Sequence, residues 1–154
     1  MIAVADASPL CYFVLIGEID LLPQCFSRVL VPHTVIAELR HEDAPAAVRT
    51  WASNLPLWIC PKENPLWAIT GLERLQAGEQ AAILLAKSMK LDIILLDEKA
   101  ARRVAAVTGL LGVLGGAAAR GLVELAPAID RLRTTRFRSS PALLKATLDR
   151  FCSR

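Results

Sequence analysis

Histidine is nearly missing from this chain: His33 and His41 are the only two, with no other ligand-type pair beside them. A Ser-His-Asp or Cys-His catalytic arrangement therefore has nothing to build on. His33, directly after Pro32, reads as a helix-start residue. The four cysteines, Cys11, Cys25, Cys60 and Cys152, have no CxxC or Cys/His spacing. That argues against a zinc site and for reduced, buried thiols. A Gly-rich phosphate loop is missing too, since Gly112, Gly115 and Gly116 lack the strand–GxGxxG–helix setting. No apolar run approaches the roughly 18 residues of a membrane span. No basic segment precedes the first apolar run, which Asp6 interrupts. A cytoplasmic protein without membrane association is expected. Repeats, low-complexity linkers and a second-domain boundary are also missing. Residues 1–154 therefore read as one domain, with the terminal helices from about 126 as part of it.

What is present is an apolar, folded composition. Of 154 residues, 54% are hydrophobic and 21% charged, which places the chain among globular proteins. The mean hydropathy of +0.41 is high and leaves apolar surface for a second copy or a partner. The net charge of +3 is unevenly placed. From Lys99 onward eleven basic residues face only Glu124, Asp130 and Asp149, so this part carries +8 and residues 1–98 carry −5. A basic half beside an acidic one suits a polyanion held next to a cation; solvated helix faces are the plainer account.

Along the chain, short apolar strands alternate with helices. Ile2 to Ala5 reads as a strand ending on Asp6, followed by a helix that Ser8 caps, with Pro9 in its first position and Gly17 at its end. A short helix or turn spans Glu18 to Phe26, and Arg28 to Pro32 is a buried strand. Helical patterning runs from His33 and again over Glu42 to Trp51. Leu57 to Cys60 is a strand candidate, and 61–72 is loop-like and contains Trp67. Leu75 to Ala86 is a strong helix with Glu79 near its start. Leu91 to Glu98 is a continuous apolar strand ending on Asp97 and Glu98, and a helix over Lys99 to Val107 follows. A last strand is expected around Val113-Leu114, then a helix ending near Gly121. Two terminal helices, Pro127 to Leu132 and Pro141 to Phe151, flank the basic stretch Arg131 to Arg138.

Alternating strands and helices imply a three-layer α/β/α sandwich on a parallel sheet of about four or five strands. Asp6 and Asp97, with Glu98 beside it, then end strands at one sheet edge. Glu38 and Glu79 come from the starts of helices that can face the same edge. Carboxylates so gathered repel unless a cation is present. Hard oxygen donors without His or Cys select Mg²⁺ or Mn²⁺, and such centres perform phosphoryl chemistry. Each acid also has a plain structural account: Asp6, Asp97 or Glu98 as a helix cap, Glu79 at a helix-dipole end, Glu38 on the surface beside Arg40.

Five pieces carry a resemblance through most of the chain. They are Asp6-Ala7-Ser8-Pro9-Leu10; Leu21-Leu22-Pro23 through Phe26; Val31-Pro32 with Val35-Ile36-Ala37-Glu38-Leu39; Gly78-Glu79-Gln80-Ala81-Ala82-Ile83; and Leu95-Leu96-Asp97-Glu98 with Arg102-Arg103. In their order and spacing they resemble the PIN-domain nucleases, and most closely the VapC-type toxins of toxin–antitoxin pairs. The resemblance implies a PIN-like fold and a divalent-metal ribonuclease site. It assigns catalysis to Asp6, Glu38, Glu79 and Asp97. It assigns Mg²⁺ or Mn²⁺ ligation to Asp6, Glu79, Asp97 and alternatively Glu98, with Ser8 in support. Arg102, Arg103 and the basic stretch would hold the backbone of a structured RNA. A small antitoxin protein and a homodimer are the implied partners. One departure stands out. Such proteins carry a Gly-Leu-Pro-Val strand, then Gly-Thr-Leu-Gly and a full helix, whereas Thr108 to Gly121 is shorter here, without a clear equivalent of that threonine. The expected alternative is a PIN-like module that binds RNA or protein without cleaving. A phosphate-metal hydrolase or receiver-like domain is a more distant one.

Overall fold

The computed structural model describes residues 1–66, 71–97 and 107–152. The described elements begin with β1 (Ile2–Ala5), α1 (Ala7–Leu15), α2 (Leu21–Cys25), β2 (Arg28–Pro32), α3 (His33–Arg40), α4 (Ala46–Ser53) and β3 (Ile59–Lys62). They continue with α5 (Ala77–Ser88), β4 (Ile94–Leu96), β5 (Val107–Gly109), α6 (Leu110–Ala119), α7 (Leu125–Arg133) and α8 (Pro141–Cys152). The five strands form one all-parallel sheet in the order β3-β2-β1-β4-β5.

Strand alternation builds the layers, because successive side chains point to opposite faces. Val4, Leu30, Ile94 and Leu96 pack against Ala82, Ile83, Leu85 and Ala86 of α5. The small Ala82 and Ala86, both fully buried, let that helix lie close to the sheet. Ala3, Ala5, Val29, Val31 and Leu95 point the other way, into a larger core with α1, α3, α4, α6 and α7. On that side Arg40 Nε donates to Ala52 O at 2.8 Å and ties α3 to α4. The three-layer α/β/α arrangement expected from the sequence is therefore the one observed.

Several boundaries differ from the sequence expectation, each for a local reason. Helix α1 starts at Ala7, so Asp6 and not Ser8 holds the N-cap position, and Pro9 falls within the first turn. Its end is as expected: Gly17 adopts φ +74°, the left-handed conformation that closes a helix. Helix α4 begins only at Ala46, because Pro45 disfavours helical backbone at Ala44. Strand β3 runs two residues later than expected and includes Pro61, which the outermost strand of the sheet tolerates. The last strand is Val107–Gly109; Val113 and Leu114 lie inside helix α6. Leu110, Leu111, Val113, Leu114 and Ala117 are buried together, a helical period that a short apolar run conceals. The strand is thus short, but a ten-residue helix does follow it. The helix expected over Lys99 to Val107 lies largely outside the described residues, as does Trp67. Among the described residues no helix is long and apolar enough to cross a membrane.

Candidate active site

The strand order reverses between β1 and β4. In an open parallel sheet, the crevice at the carboxyl ends of two such strands is where a ligand binds. Asp6 follows β1 and Asp97 follows β4. The two strands pair in parallel, Ala5 with Leu95, and the Asp6 amide donates to Leu95 O at 3.0 Å.

Asp6 is only 3% exposed, and its Oδ1 has no hydrogen-bond partner. Desolvation pushes its carboxyl up to about 7. The charges of Glu38 and Glu79 add to that rise, while the Ala7 and Ser8 amides offset part of it. Glu38 stands in the last turn of α3 (His33–Arg40) and not at its start as expected, because the helix already begins at His33, and its side chain reaches the same place. A Cβ built on Gly78 would lie 2.8 Å from Asp6 Oδ1, and 2.8 and 2.7 Å from Glu38 Oε1 and Oε2. Both carboxylates therefore close on one point above the first turn of α5, where only a glycine leaves room. Burial raises the Glu38 carboxyl and the charge of Glu79 raises it further, while a hydrogen bond from the Gly78 amide lowers it.

Glu79, next along α5, is half-buried. Its Oε2 accepts the Gln76 amide at 3.0 Å and closes a capping box at the helix start. Its charge reaches both other acids, yet its carboxylate is engaged with its own helix. Among the described residues no three His, Cys, Asp or Glu side chains close on one point as metal ligands. The convergent pair is Asp6 and Glu38.

That pair fits a hard divalent cation. Mg²⁺ keeps several waters and takes one or two carboxylates together with substrate phosphates. A buried, unpartnered Oδ1 and a floor without a side chain suit that mode, and Mn²⁺ uses the same oxygen donors.

A family model described as a PIN domain matches residues 2–153. The chain belongs to the PIN-domain family. PIN domains are generally nucleases that use divalent metals. No curated protein and no solved structure gives a match.

The remaining expected residues of this PIN domain have distinct places. Asp97 is half-buried, and its charge raises the Tyr12 hydroxyl of α1. Ser8 lines a cavity of about 180 Å³ together with Cys11, Tyr12 and Glu38. Glu38 is not a surface residue beside Arg40, since Arg40 is turned to α4. Thr108 stands beside Gly112 and lines a cavity with Phe151 of α8. Glu98, Arg102 and Arg103 lie outside the described residues. His33 starts α3, as expected, and sits 3.4 Å from Glu63.

Two residues were given no role from the sequence. Gly78 entered only as the first residue of the Gly78–Ile83 piece, a glycine in the first turn of an otherwise strong helix, where it costs about 1 kcal/mol relative to alanine. Tyr12 carried no signal beyond its place on α1.

Proposed function

We propose that this PIN domain is a metal-dependent endoribonuclease, the toxin of a toxin–antitoxin pair. The carrying observation is the meeting of Asp6 and Glu38 over Gly78 with a buried, unpartnered carboxylate oxygen between them. Mg²⁺ or Mn²⁺, when bound, supplies water activation and charge neutralisation for phosphodiester hydrolysis. Asp6 and Glu38 would hold the ion, and Glu79 would join on leaving its capping contact. Asp97 would complete the acidic rim from the neighbouring strand. The first-turn amides of α1 and α5 face Asp6 and Glu38 and keep the pair oriented. A small antitoxin and a second copy of this chain are the partners that go with this reading. Fully exposed Leu57 and Leu66 give apolar surface for them.

The test is cleavage of RNA in Mn²⁺ and in EDTA. Wild-type protein should cleave only with the ion, and Asp6→Asn should lose at least a hundredfold in rate while staying folded. Equal cleavage by both proteins would overturn the assignment. A second reading, a PIN module that binds without cleaving, is favoured by one observation: the Glu79 carboxylate is engaged with the Gln76 amide. It predicts RNA binding with no Mn²⁺-dependent cleavage.

A further inference from the structure

The basic stretch Arg131 to Arg138, which runs from the last turn of α7 past its end, divides into two kinds of arginine. Arg131 pairs with Glu18, and Arg133 Nη1 lies 3.1 Å from Asp130 Oδ1. Arg136 and Arg138 are exposed, and among the described residues neither makes an ion pair or a side-chain hydrogen bond. Phe137, between them, turns inward. Its ring meets Tyr12 edge-on, with centroids 5.3 Å apart and planes at 82°. The bend before it is fixed as well: the Phe137 amide donates to Thr135 Oγ1 at 3.1 Å, and that hydroxyl donates to Leu132 O at 2.7 Å.

Tyr12 lines the cavity that Glu38 and Ser8 also line. The anchored segment therefore reaches the rim of the acidic crevice. Both guanidinium groups act on the Tyr12 hydroxyl, lowering a proton affinity that burial, Cys11 and Asp97 raise. Exposed, and without an ion-pair partner among the described residues, the two guanidinium groups are open to an anion at the mouth of the crevice.

We propose that Arg136 and Arg138 form a phosphate clamp for an RNA backbone, held at the mouth of the acidic crevice by the contact of Phe137 with Tyr12. The choice of RNA rests on the ribonuclease reading; the clamp itself rests on the anchoring. The two arginines would grip phosphates flanking the one presented to Asp6 and Glu38.

The experiment measures binding of a fluorescein-labelled single-stranded RNA to the full chain, in EDTA, by anisotropy across a potassium chloride series. Each phosphate contact to a single strand contributes about 0.7 to the slope of log affinity against log salt. The double variant R136A/R138A should therefore lose about 1.4 of that slope. R133A removes the same kind of charge from a paired site and should leave the slope unchanged. F137A keeps both charges but frees the segment, and should lose most of the slope as well. A wild-type slope in R136A/R138A, an equal loss in R133A, or no RNA binding by the wild type would each overturn the clamp. Cleavage assays on the same proteins keep the two readings apart. Arginine-dependent binding without Mn²⁺-dependent cleavage sustains the clamp and removes the nuclease. Cleavage with an arginine-independent slope removes only the clamp.

Discussion

At Asp6, burial and neighbouring negative charge act in the same direction. The carboxyl sits near pH 7 in the folded chain, against an ordinary value of 3.8. The native state thus binds a proton more tightly than the unfolded state. Without metal, the stability this confers is fully present below about pH 4 and is lost as pH rises through 7. A shift of about three units corresponds to on the order of 4 kcal/mol. Urea denaturation in EDTA should therefore give a wild-type protein that weakens between about pH 4 and 7 and levels off above, and an Asp6→Asn variant that is nearly level and the more stable of the two at pH 8. Parallel pH profiles would contradict this. Gly78→Ala makes a second point at this scale. Alanine favours the helix by about 1 kcal/mol, but its Cβ would displace both carboxylates. The variant should stay folded and lose at least tenfold in Mn²⁺ affinity, measured by calorimetry. The sequence made Asp6 visible as a strand-end acid and Glu38 as a helix acid, though it set Glu38 at the wrong end of its helix. It could not show that they meet over Gly78, because that contact joins three elements far apart in the chain.

Among elements, α5 matters most to the site. It covers one sheet face with Ile83, Leu85 and two alanines, and its first turn carries Gly78 and Glu79. Ile83 is fully buried, so Ile83→Ala should cost about 2–5 kcal/mol in urea denaturation. Leu57→Ser, at a fully exposed position, should change stability by less than about 0.5 kcal/mol. The long periodic helices were readable before the structure, α5 above all. The last strand was not. Val107-Thr108-Gly109 is three residues long, too short for a period to register, and the apolar run after it belongs to a helix. The anchoring of Phe137 on Tyr12 was equally hidden, since more than a hundred residues separate the two in sequence.

In the whole molecule, the strand order sets the chemistry. Placing β1 between β2 and β4 puts a strand-end aspartate on each side of the reversal. The repeated pattern of apolar strand, acid and helix made that arrangement foreseeable, and the match to a PIN domain over residues 2–153 agrees with it. The uneven charge along the chain was readable too, but which arginines are free to bind depended on the pairing of Arg131 and Arg133. The most direct measurement of the central claim is isothermal titration of the full chain with Mn²⁺ at pH 6.5, in buffers of different ionisation enthalpy. An acid held near pH 7 must give up its proton to accept the ion. Wild-type protein should bind Mn²⁺ with release of a substantial fraction of a proton, and Asp6→Asn should lose both the binding and the release. Mn²⁺ binding of equal strength in the two proteins, or none in the wild type, would contradict the account.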